Sequence, residues 1–326
     1  GCPPGPHGQQ HWPEGHPECG GRAQSPIDIA TAEARPEPAL PPLQPQGYER
    51  PETPRFTLAN NGHTGEPRGV GAPGVPGGPA PLSPRRPAAV LALPPSLRLR
   101  GLPGVFAAAQ LHFHWGRPGH GPGAEHLLDG HRAPAEVPPG TGGSGGEGTE
   151  RGMAREMGLG TLTDPPAPLP QVGTDPHPAY DNILRHLGSI RYAGQSTSIP
   201  SFSVRDLLPP SLDRYYRYNG SLTTPPCFQS VLWTLFPQPV RVSRGQLEQL
   251  QGSLYSTEEA EEEPQLLVDN FRAPQELNQR PVLSGGLPSE PPPWCHTGQV
   301  IAIVFGAVAG CVGLFLAAHF GAKWMR

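Results

Sequence analysis

Charged residues are scarce in this sequence, and neither sign is in large excess. Asp, Glu, Lys and Arg make up 16% of the 326 residues, and the formal net charge is −4 at pH 7. A protein that binds mainly nucleic acid carries a basic surface, because binding neutralises phosphates. The composition therefore argues against nucleic acid as a partner. The length is sufficient for one large domain or two small ones.

Two internal stretches lack the apolar residues and the periodicity that a buried element needs. Residues 65–89 and 137–170 are rich in glycine and proline, and ordinary patterning resumes after each of them. This composition predicts a linker or an irregular loop and argues against a buried strand. An irregular loop as long as 137–170 is unusual inside a compact domain. Both blocks begin and end abruptly, as translated non-coding sequence at exon junctions would.

Only one long apolar run is present, and it lies near the C-terminus. Residues 298–320 contain a single ionisable side chain, His319, and their number suits the roughly 20 residues that a transmembrane helix needs. Lys323 and Arg326 follow at once, so the positive-inside rule predicts a cytoplasmic stub at 321–326 and a bulk outside the cell or in a lumen. The chain opens without a methionine or a signal peptide, so we expect a targeting segment to have been removed or never included.

Cysteine is sparse, with five residues at positions 2, 19, 227, 295 and 311. A disulfide is expected in the extracellular compartment that the apolar run predicts. Cys311 lies within that run and Cys295 just before it, which leaves the pairing of the others open. The sequon Asn219-Gly220-Ser221 predicts N-glycosylation of Asn219 and fits the same compartment.

Sequence patterns outside the two glycine-rich blocks predict several further elements. Residues 56–59 favour a strand that ends in a turn containing asparagine and glycine. Apolar residues at helical spacing predict a helix over 180–190, and a second helix is predicted over 243–251. The apolar run over 265–271 predicts another strand.

The stretch Gln110-Leu111-His112-Phe113-His114-Trp115 alternates polar and apolar residues. This period-two pattern is typical of a β-strand, and it places His112 and His114 on the same face. Two imidazoles at this spacing can bind one metal ion, usually zinc, provided that a third ligand comes from elsewhere. Gln110 shares their face and is suited to accept the ring N–H of a ligating histidine. The alternative for an isolated pair of this kind is two histidines packed inside a sheet.

Several segments occur in the order found in the α-carbonic anhydrases: QSPIDI, NNGH, QLHFHWG, Glu125-His126, GSLTTPPC and VDNFR. The sequence therefore resembles this family over most of residues 8–283, and in particular its membrane-bound extracellular members. The resemblance implies an α+β fold dominated by a large, mostly antiparallel twisted β-sheet, followed by one C-terminal transmembrane helix. The implied organisation is an extracellular domain at 1–284, a stalk at 285–297, a transmembrane helix at 298–320 and a stub at 321–326.

The resemblance also implies zinc as the cofactor and the reversible hydration of carbon dioxide to bicarbonate and a proton. The enzyme would be a single-pass type I protein of the plasma membrane, with its catalytic domain outside and no indicated protein partner. His63 would shuttle protons, and Thr223 would orient the zinc-bound hydroxide while Glu125 accepts the hydroxyl proton of Thr223. The other implied site residues are the zinc ligands His112 and His114, their supports Gln110 and Glu136, the pocket residues Leu222, Thr224, Val231 and Trp233, and the disulfide between Cys19 and Cys227.

The third zinc ligand of the family pattern is missing. The family has a histidine two residues after the glutamate of its Glu-Leu-His segment, whereas here Glu136-Val137 is followed by Pro138, which has no nitrogen donor to offer. None of the nearby histidines, at positions 120, 126 and 131, has the required spacing, although one of them could substitute. The remaining alternatives are a catalytically silent carbonic-anhydrase-like ectodomain that acts as a binding module, or a flawed gene model of an active enzyme.

Overall fold

The computed structural model describes residues 8–62, 89–137, 139–143, 154–156, 159–163 and 175–286, with side chains for 8–62, 89–137 and 175–286. The strands are β1 (Asp28–Ile29), β2 (Arg35–Pro36), β3 (Gln44–Gln46), β4 (Arg55–Asn60), β5 (Ala89–Ala92), β6 (Arg98–Leu102), β7 (Gly104–His112), β8 (His114–Trp115), β9 (Leu127–Leu128), β10 (His131–Arg132), β11 (Ala135–Val137), β12 (Pro139–Gly143), β13 (Ala154–Glu156), β14 (Leu159–Thr163), β15 (Ser196–Pro200), β16 (Tyr215–Gly220), β17 (Val231–Leu235), β18 (Val240–Arg241) and β19 (Leu283–Gly285). The α-helices are α1 (Trp12–Gly15), α2 (Pro178–Leu184) and α3 (Arg244–Gly252), and short 3₁₀ helices cover Gln9–His11, Pro17–Gly20, Thr31–Glu33, Leu187–Ile190 and Val204–Leu207.

The largest sheet is built around β7. Its strands follow the order β13-β12-β7-β5-β4-β15, and β6 also pairs with β7 and carries β3. All of these pairings are antiparallel. Residues 110–112 of the segment that contains both histidines therefore lie at the end of β7, which has neighbouring strands on both sides. This pairing fixes the direction and the register of β7.

Three smaller sheets complete the described part of the fold. They have the orders β18-β14-β11-β8, β17-β16-β19-β2 and β1-β9-β10. The pairings of β1 with β9, β14 with β18 and β2 with β19 are parallel, whereas the others in these sheets are antiparallel. The described strands thus agree with the mostly antiparallel architecture that the sequence predicts.

The hydrophobic core includes the apolar side chains of the segment that carries His112 and His114. Leu111, Phe113 and Trp115 are almost completely buried and belong to the larger of two apolar clusters, together with residues of α2. Burial of side chains of this size contributes about 1.5–3 kcal/mol each. A smaller cluster lies on β16 and β17 and includes Trp233 and Val231. Leu111, Phe113 and Trp115 therefore share one apolar cluster, as the alternation predicts, although the strand is interrupted at Phe113, between β7 and β8.

Two of the predicted elements between residues 175 and 286 need correction. The helix predicted over 180–190 is split into α2 and a 3₁₀ turn at Leu187–Ile190, whereas α3 matches its prediction and is capped by Ser243 and Gln246. The strand predicted over 265–271 is wrong, because only Leu266 makes an isolated bridge, to Tyr255. Asp269 has a positive φ of 54°, which an extended strand does not tolerate.

The prediction of an irregular loop over 137–170 is also wrong in part. Residues 139–143, 154–156 and 159–163 form β12, β13 and β14, which pair with β7, with β12 and with β11. A ladder of main-chain hydrogen bonds does not require apolar side chains, so the residue pattern alone did not reveal it. No helix in the described ranges is long and apolar enough to span a bilayer. The predicted span at 298–320 lies outside those ranges, as do residues 63–88.

Candidate active site

His112 and His114 lie side by side at the junction of β7 and β8. Their exposed fractions are 1% and 3%, and their ring centroids are 5.0 Å apart with an edge-to-face geometry. Val90 of β5 pairs with His112, and Glu136 of β11 pairs with His114. The two imidazoles are thus buried on one face and held by ladders on both sides, as the sequence predicts.

The ring of His114 has a defined tautomer. Its Nδ1 lies 2.6 Å from the carbonyl oxygen of Asn270, which only accepts hydrogen bonds, so Nδ1 carries the hydrogen. In the neutral ring, Nε2 then presents its lone pair, and this atom has no hydrogen-bond partner within the described residues. This arrangement, with one nitrogen fixed by a carbonyl and the other available, is the one that metal-bound histidines have.

Asn270 also fixes the backbone on either side of His114. Its side-chain amide donates to the carbonyl of Phe113 at 2.9 Å, and its side-chain oxygen accepts the N–H of Trp115 at 2.8 Å. The sequence analysis missed this residue. The motif VDNFR contains it, but the 156 residues that separate it from His114 hide the contact.

Glu125 faces His114 from the adjoining segment. One carboxylate oxygen, Oε1, accepts the backbone N–H of Arg272 at 3.0 Å, and the other, Oε2, lies 3.5 Å from His114 Nε2. Oε2 has no hydrogen-bond partner among the described residues. Thr223 is also buried, but no hydrogen bond joins it to Glu125 in the described structure, so the implied contact between them stays a prediction.

Both oxygens of the Glu136 carboxylate have hydrogen-bond partners. Oε2 accepts the backbone N–H groups of Glu125 and His126, both at 2.8 Å, and Oε1 lies 2.9 Å from Nδ1 of His126. Burial alone would raise the pKa of Glu136, but the attraction of His126 and these hydrogen bonds outweigh it, so the pKa is lowered. Glu136 therefore holds the turn that carries Glu125.

His126 continues this buried network towards the N-terminal segment. Its Nε2 lies 2.7 Å from the hydroxyl of Tyr218, which donates to Ser25 Oγ at 2.8 Å. Burial raises the pKa of Tyr218 well above its ordinary value, so the phenol stays protonated. Both ring nitrogens of His126 thus have partners, which makes it unsuitable as a substitute metal ligand.

The other histidines near the pair do not complete a metal site within the described residues. His120 and His131 are exposed, and their Nδ1 atoms lie near the carbonyls of Pro118 and Asp129. Among the residues that the structure describes, no group of three or more His, Cys, Asp or Glu side chains is arranged to hold a metal. Positions 63 and 138 lie outside the described residues.

The predicted pocket residues lie on β17 and on the loop before it. Val231 and Trp233 are buried, and the indole N–H of Trp233 donates to the carbonyl of Ser221 at 3.0 Å. Leu222 and Thr224 are partly exposed on the loop. Elsewhere, Gln110 is a partly exposed residue of β7, opposite Ala92 of β5, and Asn219 is exposed on β16.

A disulfide joins Cys19 and Cys227, as the family resemblance implies. The two Cα atoms are 4.9 Å apart, although the residues are separated by 208 positions. The backbone N–H of Cys227 donates to the carbonyl of Thr224 at 2.9 Å, so the bond anchors the turn that follows Thr223.

Removing this disulfide should cost considerable stability. The double variant Cys19→Ser/Cys227→Ser is expected to lose about 2–5 kcal/mol of unfolding free energy, because a long loop is no longer closed. Urea unfolding followed by circular dichroism measures the loss. A control variant at an exposed position, Glu52→Gln, should stay within about 0.5 kcal/mol of the parent chain. Equal stability of the double variant and the control would contradict the expectation.

Comparison with known proteins agrees with this geometry. Residues 7–285 match the model of the eukaryotic-type carbonic anhydrase family. The chain is 34% identical to carbonic anhydrase 12 of Homo sapiens over 321 residues, which cover 95% of this chain and 79% of the relative. It is 33% identical to carbonic anhydrase 6 of Homo sapiens (85% and 80% covered) and 34% identical to carbonic anhydrase 6 of Canis lupus familiaris (86% and 79% covered).

The fold and the buried histidine pair thus define a carbonic-anhydrase-type enzyme domain. The chain belongs to the eukaryotic-type carbonic anhydrase family.

Proposed function

We propose that the pocket around His112 and His114 is the catalytic pocket of a zinc-dependent carbonic anhydrase that interconverts carbon dioxide and bicarbonate. The observation that carries this proposal is the arrangement of the His114 ring: Nδ1 faces the carbonyl of Asn270, and Nε2 has no hydrogen-bond partner among the described residues, with Glu125 Oε2 3.5 Å away. A buried histidine with an unsatisfied nitrogen costs stability unless a ligand uses it. Membership of the family supplies the reaction.

The donor set of this chain fits zinc only in part. Catalytic zinc sites have three protein ligands and one open position. His112 and His114 supply two nitrogen donors, the described residues supply no third, and the family position of the third is Pro138. The described residues do not provide the complete site, and we therefore derive no catalytic step through the metal.

We place the domain outside the cell, on a single-pass type I membrane protein. Three features support this placement: the Cys19–Cys227 disulfide, the apolar run at 298–320 with its basic flank, and the sequon that begins at the exposed Asn219. Within the family, the segments YNGSLTTPPC and LQGSLYSTEE are particularly similar to carbonic anhydrase XIV.

A second candidate function is a silent ectodomain that binds a partner protein. The missing third donor favours it, because a two-histidine site holds zinc more weakly than a three-histidine site. A flawed gene model is a third explanation of the same gap. Sequencing the expressed transcript across codons 60–95 and 130–175 tests it, because a transcript with both blocks intact would exclude it.

Carbon dioxide hydration separates the enzyme from the silent ectodomain. The full chain, assayed by stopped flow with excess zinc, is expected to hydrate carbon dioxide faster than its His114→Ala variant. His186→Ala is the matched control, because His186 lies just after α2 at the start of a 3₁₀ turn and is not one of the site residues, so this variant should leave the rate unchanged. If the parent chain and His114→Ala have the same rate, the silent ectodomain is the better account.

A further inference from the structure

Segment 270–272 holds two residues of the pocket at once. The carbonyl of Asn270 fixes the ring of His114 at 2.6 Å, and the backbone N–H of Arg272 holds Glu125 Oε1 at 3.0 Å. Because these contacts are two residues apart on one stretch of backbone, a displacement of this segment would move both side chains.

The side chain of Arg272 ties this segment to the disulfide. Its exposed fraction is only 4%, its Nη2 donates to the carbonyl of Cys19 at 3.0 Å, and Nη1 donates to Gln24 Oε1 at 2.7 Å and to the carbonyl of Ser25 at 2.9 Å. Trp12 lies against the guanidinium, 5.3 Å from the ring centroid. Burial lowers the pKa of Arg272 to about 10, so the group remains charged at neutral pH.

Gln24 extends the same link to the other half of the disulfide. Its Nε2 donates to the carbonyl of Cys227 at 3.2 Å and to that of Glu18 at 2.8 Å. Since Gln24 Oε1 accepts from Arg272, both half-cystine carbonyls are bound by a single pair of buried side chains. Cys227 in turn anchors the turn after Thr223.

We infer that Arg272 is a positioning residue that couples the Cys19–Cys227 disulfide to Glu125 and His114. The inference that this coupling serves catalysis rests on the proposed function. The coupling itself does not, because it consists of protein contacts that involve neither zinc nor carbon dioxide. The planar guanidinium makes these bonds in a fixed fork, which an ammonium group cannot reproduce.

The first test measures the disulfide equilibrium in the full chain. Thiol–disulfide buffers of graded potential, followed by alkylation and mass spectrometry of the Cys19 and Cys227 peptides, give the oxidised fraction. Arg272→Lys should shift this equilibrium about tenfold towards the reduced form, because charge-assisted hydrogen bonds to the oxidised arrangement are lost. Arg217→Lys is the matched control: Arg217 is equally buried, and its contacts include Thr234, Gly101 and Tyr215.

The control is expected to stay within about twofold of the parent equilibrium. Equal shifts in the two lysine variants would overturn the inference, because both would then reflect general loss of stability. No shift in Arg272→Lys would overturn it as well.

The second test asks whether the coupling reaches Glu125. Hydrogen exchange of the Arg272 amide, which donates to Glu125 Oε1, is compared between the oxidised and the reduced parent chain. Reduction should lower protection of this amide about tenfold and leave the amides of β17 unchanged. A uniform loss in both places would indicate global unfolding and would contradict local coupling.

The kinetic consequence is tested separately. Arg272→Lys should lower kcat for carbon dioxide hydration several-fold at unchanged KM, because a displaced Glu125 affects the reacting geometry and not substrate access. An unchanged kcat would remove the catalytic part of the inference. An inactive parent chain would refute the proposed function, while the disulfide and exchange results would still decide the coupling.

Discussion

Replacing Pro138 with histidine is expected to raise the affinity of the full chain for zinc by about 100-fold or more. Four-ligand zinc sites contribute about 10–16 kcal/mol, so one ligand accounts for about 3 kcal/mol, which corresponds to a factor of roughly 100. Zinc competition titration against a chelator of known affinity measures the change. Carbon dioxide hydration should increase in parallel, because more of the protein is loaded with metal.

The strand register explains why this substitution is expected to work. Glu136 pairs with His114 and Pro139 pairs with Leu111, and both pairs belong to the same antiparallel register. These two pairs flank position 138, so we expect a histidine introduced there to lie opposite His112, and residues opposite each other share a face.

Pro138→Ala is the control for this experiment. It removes the proline ring without adding a nitrogen donor, so its zinc affinity should stay close to that of the parent chain. If alanine and histidine raised the affinity equally, relief of a backbone constraint would explain the gain. Combining Pro138→His with His114→Ala should abolish the gain, since only two imidazoles would remain.

Removing the carboxylate of Glu136 should be among the most destabilising single changes in the domain. Glu136→Ala is expected to cost about 3–5 kcal/mol of unfolding free energy, because it leaves two buried backbone N–H groups and His126 without their acceptor. Urea unfolding monitored by tryptophan fluorescence measures this loss. Glu248→Ala, which removes an exposed glutamate paired only with Arg244, should cost less than about 0.5 kcal/mol.

The same carboxylate should make stability depend on pH. The pKa of Glu136 in the folded protein lies below its ordinary value of 4.5, so its contribution is fully present above that value. The contribution is lost as the pH falls through the lowered pKa. The Glu136→Gln variant should therefore lose less stability than the parent chain between about pH 5 and pH 3. Identical pH profiles would contradict the role assigned to Glu136.

The local patterns in the sequence correctly predicted part of the structure around His112 and His114. Strict alternation around His112 and His114 predicted a strand with both rings on one face, and burial of Leu111, Phe113 and Trp115 explains why the pattern was readable. The helix near Ser243 was predictable for a similar reason, because its hydrogen-bonded cap is local. The disulfide followed from the family resemblance, since the spacing of the cysteines left the pairing open.

The parts that the sequence did not reveal depend on contacts between distant segments. Asn270 and Arg272 fix His114 and Glu125 across 156 and 147 residues, and no periodicity encodes such contacts. The same contacts explain why the strand predicted over 265–271 is absent. The carbonyl of Asn270 and the N–H of Arg272 bind the side chains of His114 and Glu125 and not a neighbouring strand. Strands β12 to β14 escaped prediction because main-chain pairing tolerates glycine and leaves no apolar pattern.

The contacts of Glu136 in the structure differ from the role that the family resemblance implies for it. The family resemblance assigned Glu136 a supporting role for the zinc ligands, whereas in the described structure its carboxylate holds His126 and the backbone N–H of Glu125. This arrangement satisfies the buried charge without any contribution from position 138. The site can therefore keep its local geometry while lacking a metal ligand.

Counting the imidazoles around zinc tests the central claim most directly. X-ray absorption spectroscopy at the zinc edge, on the full chain loaded with one equivalent of zinc, resolves the number of histidine ligands. We expect two, contributed by His112 and His114, with oxygen ligands completing the coordination, and only one in His114→Ala. Three imidazoles in the parent chain, or none, would contradict the claim that this sequence supplies two zinc-binding histidines and lacks the third.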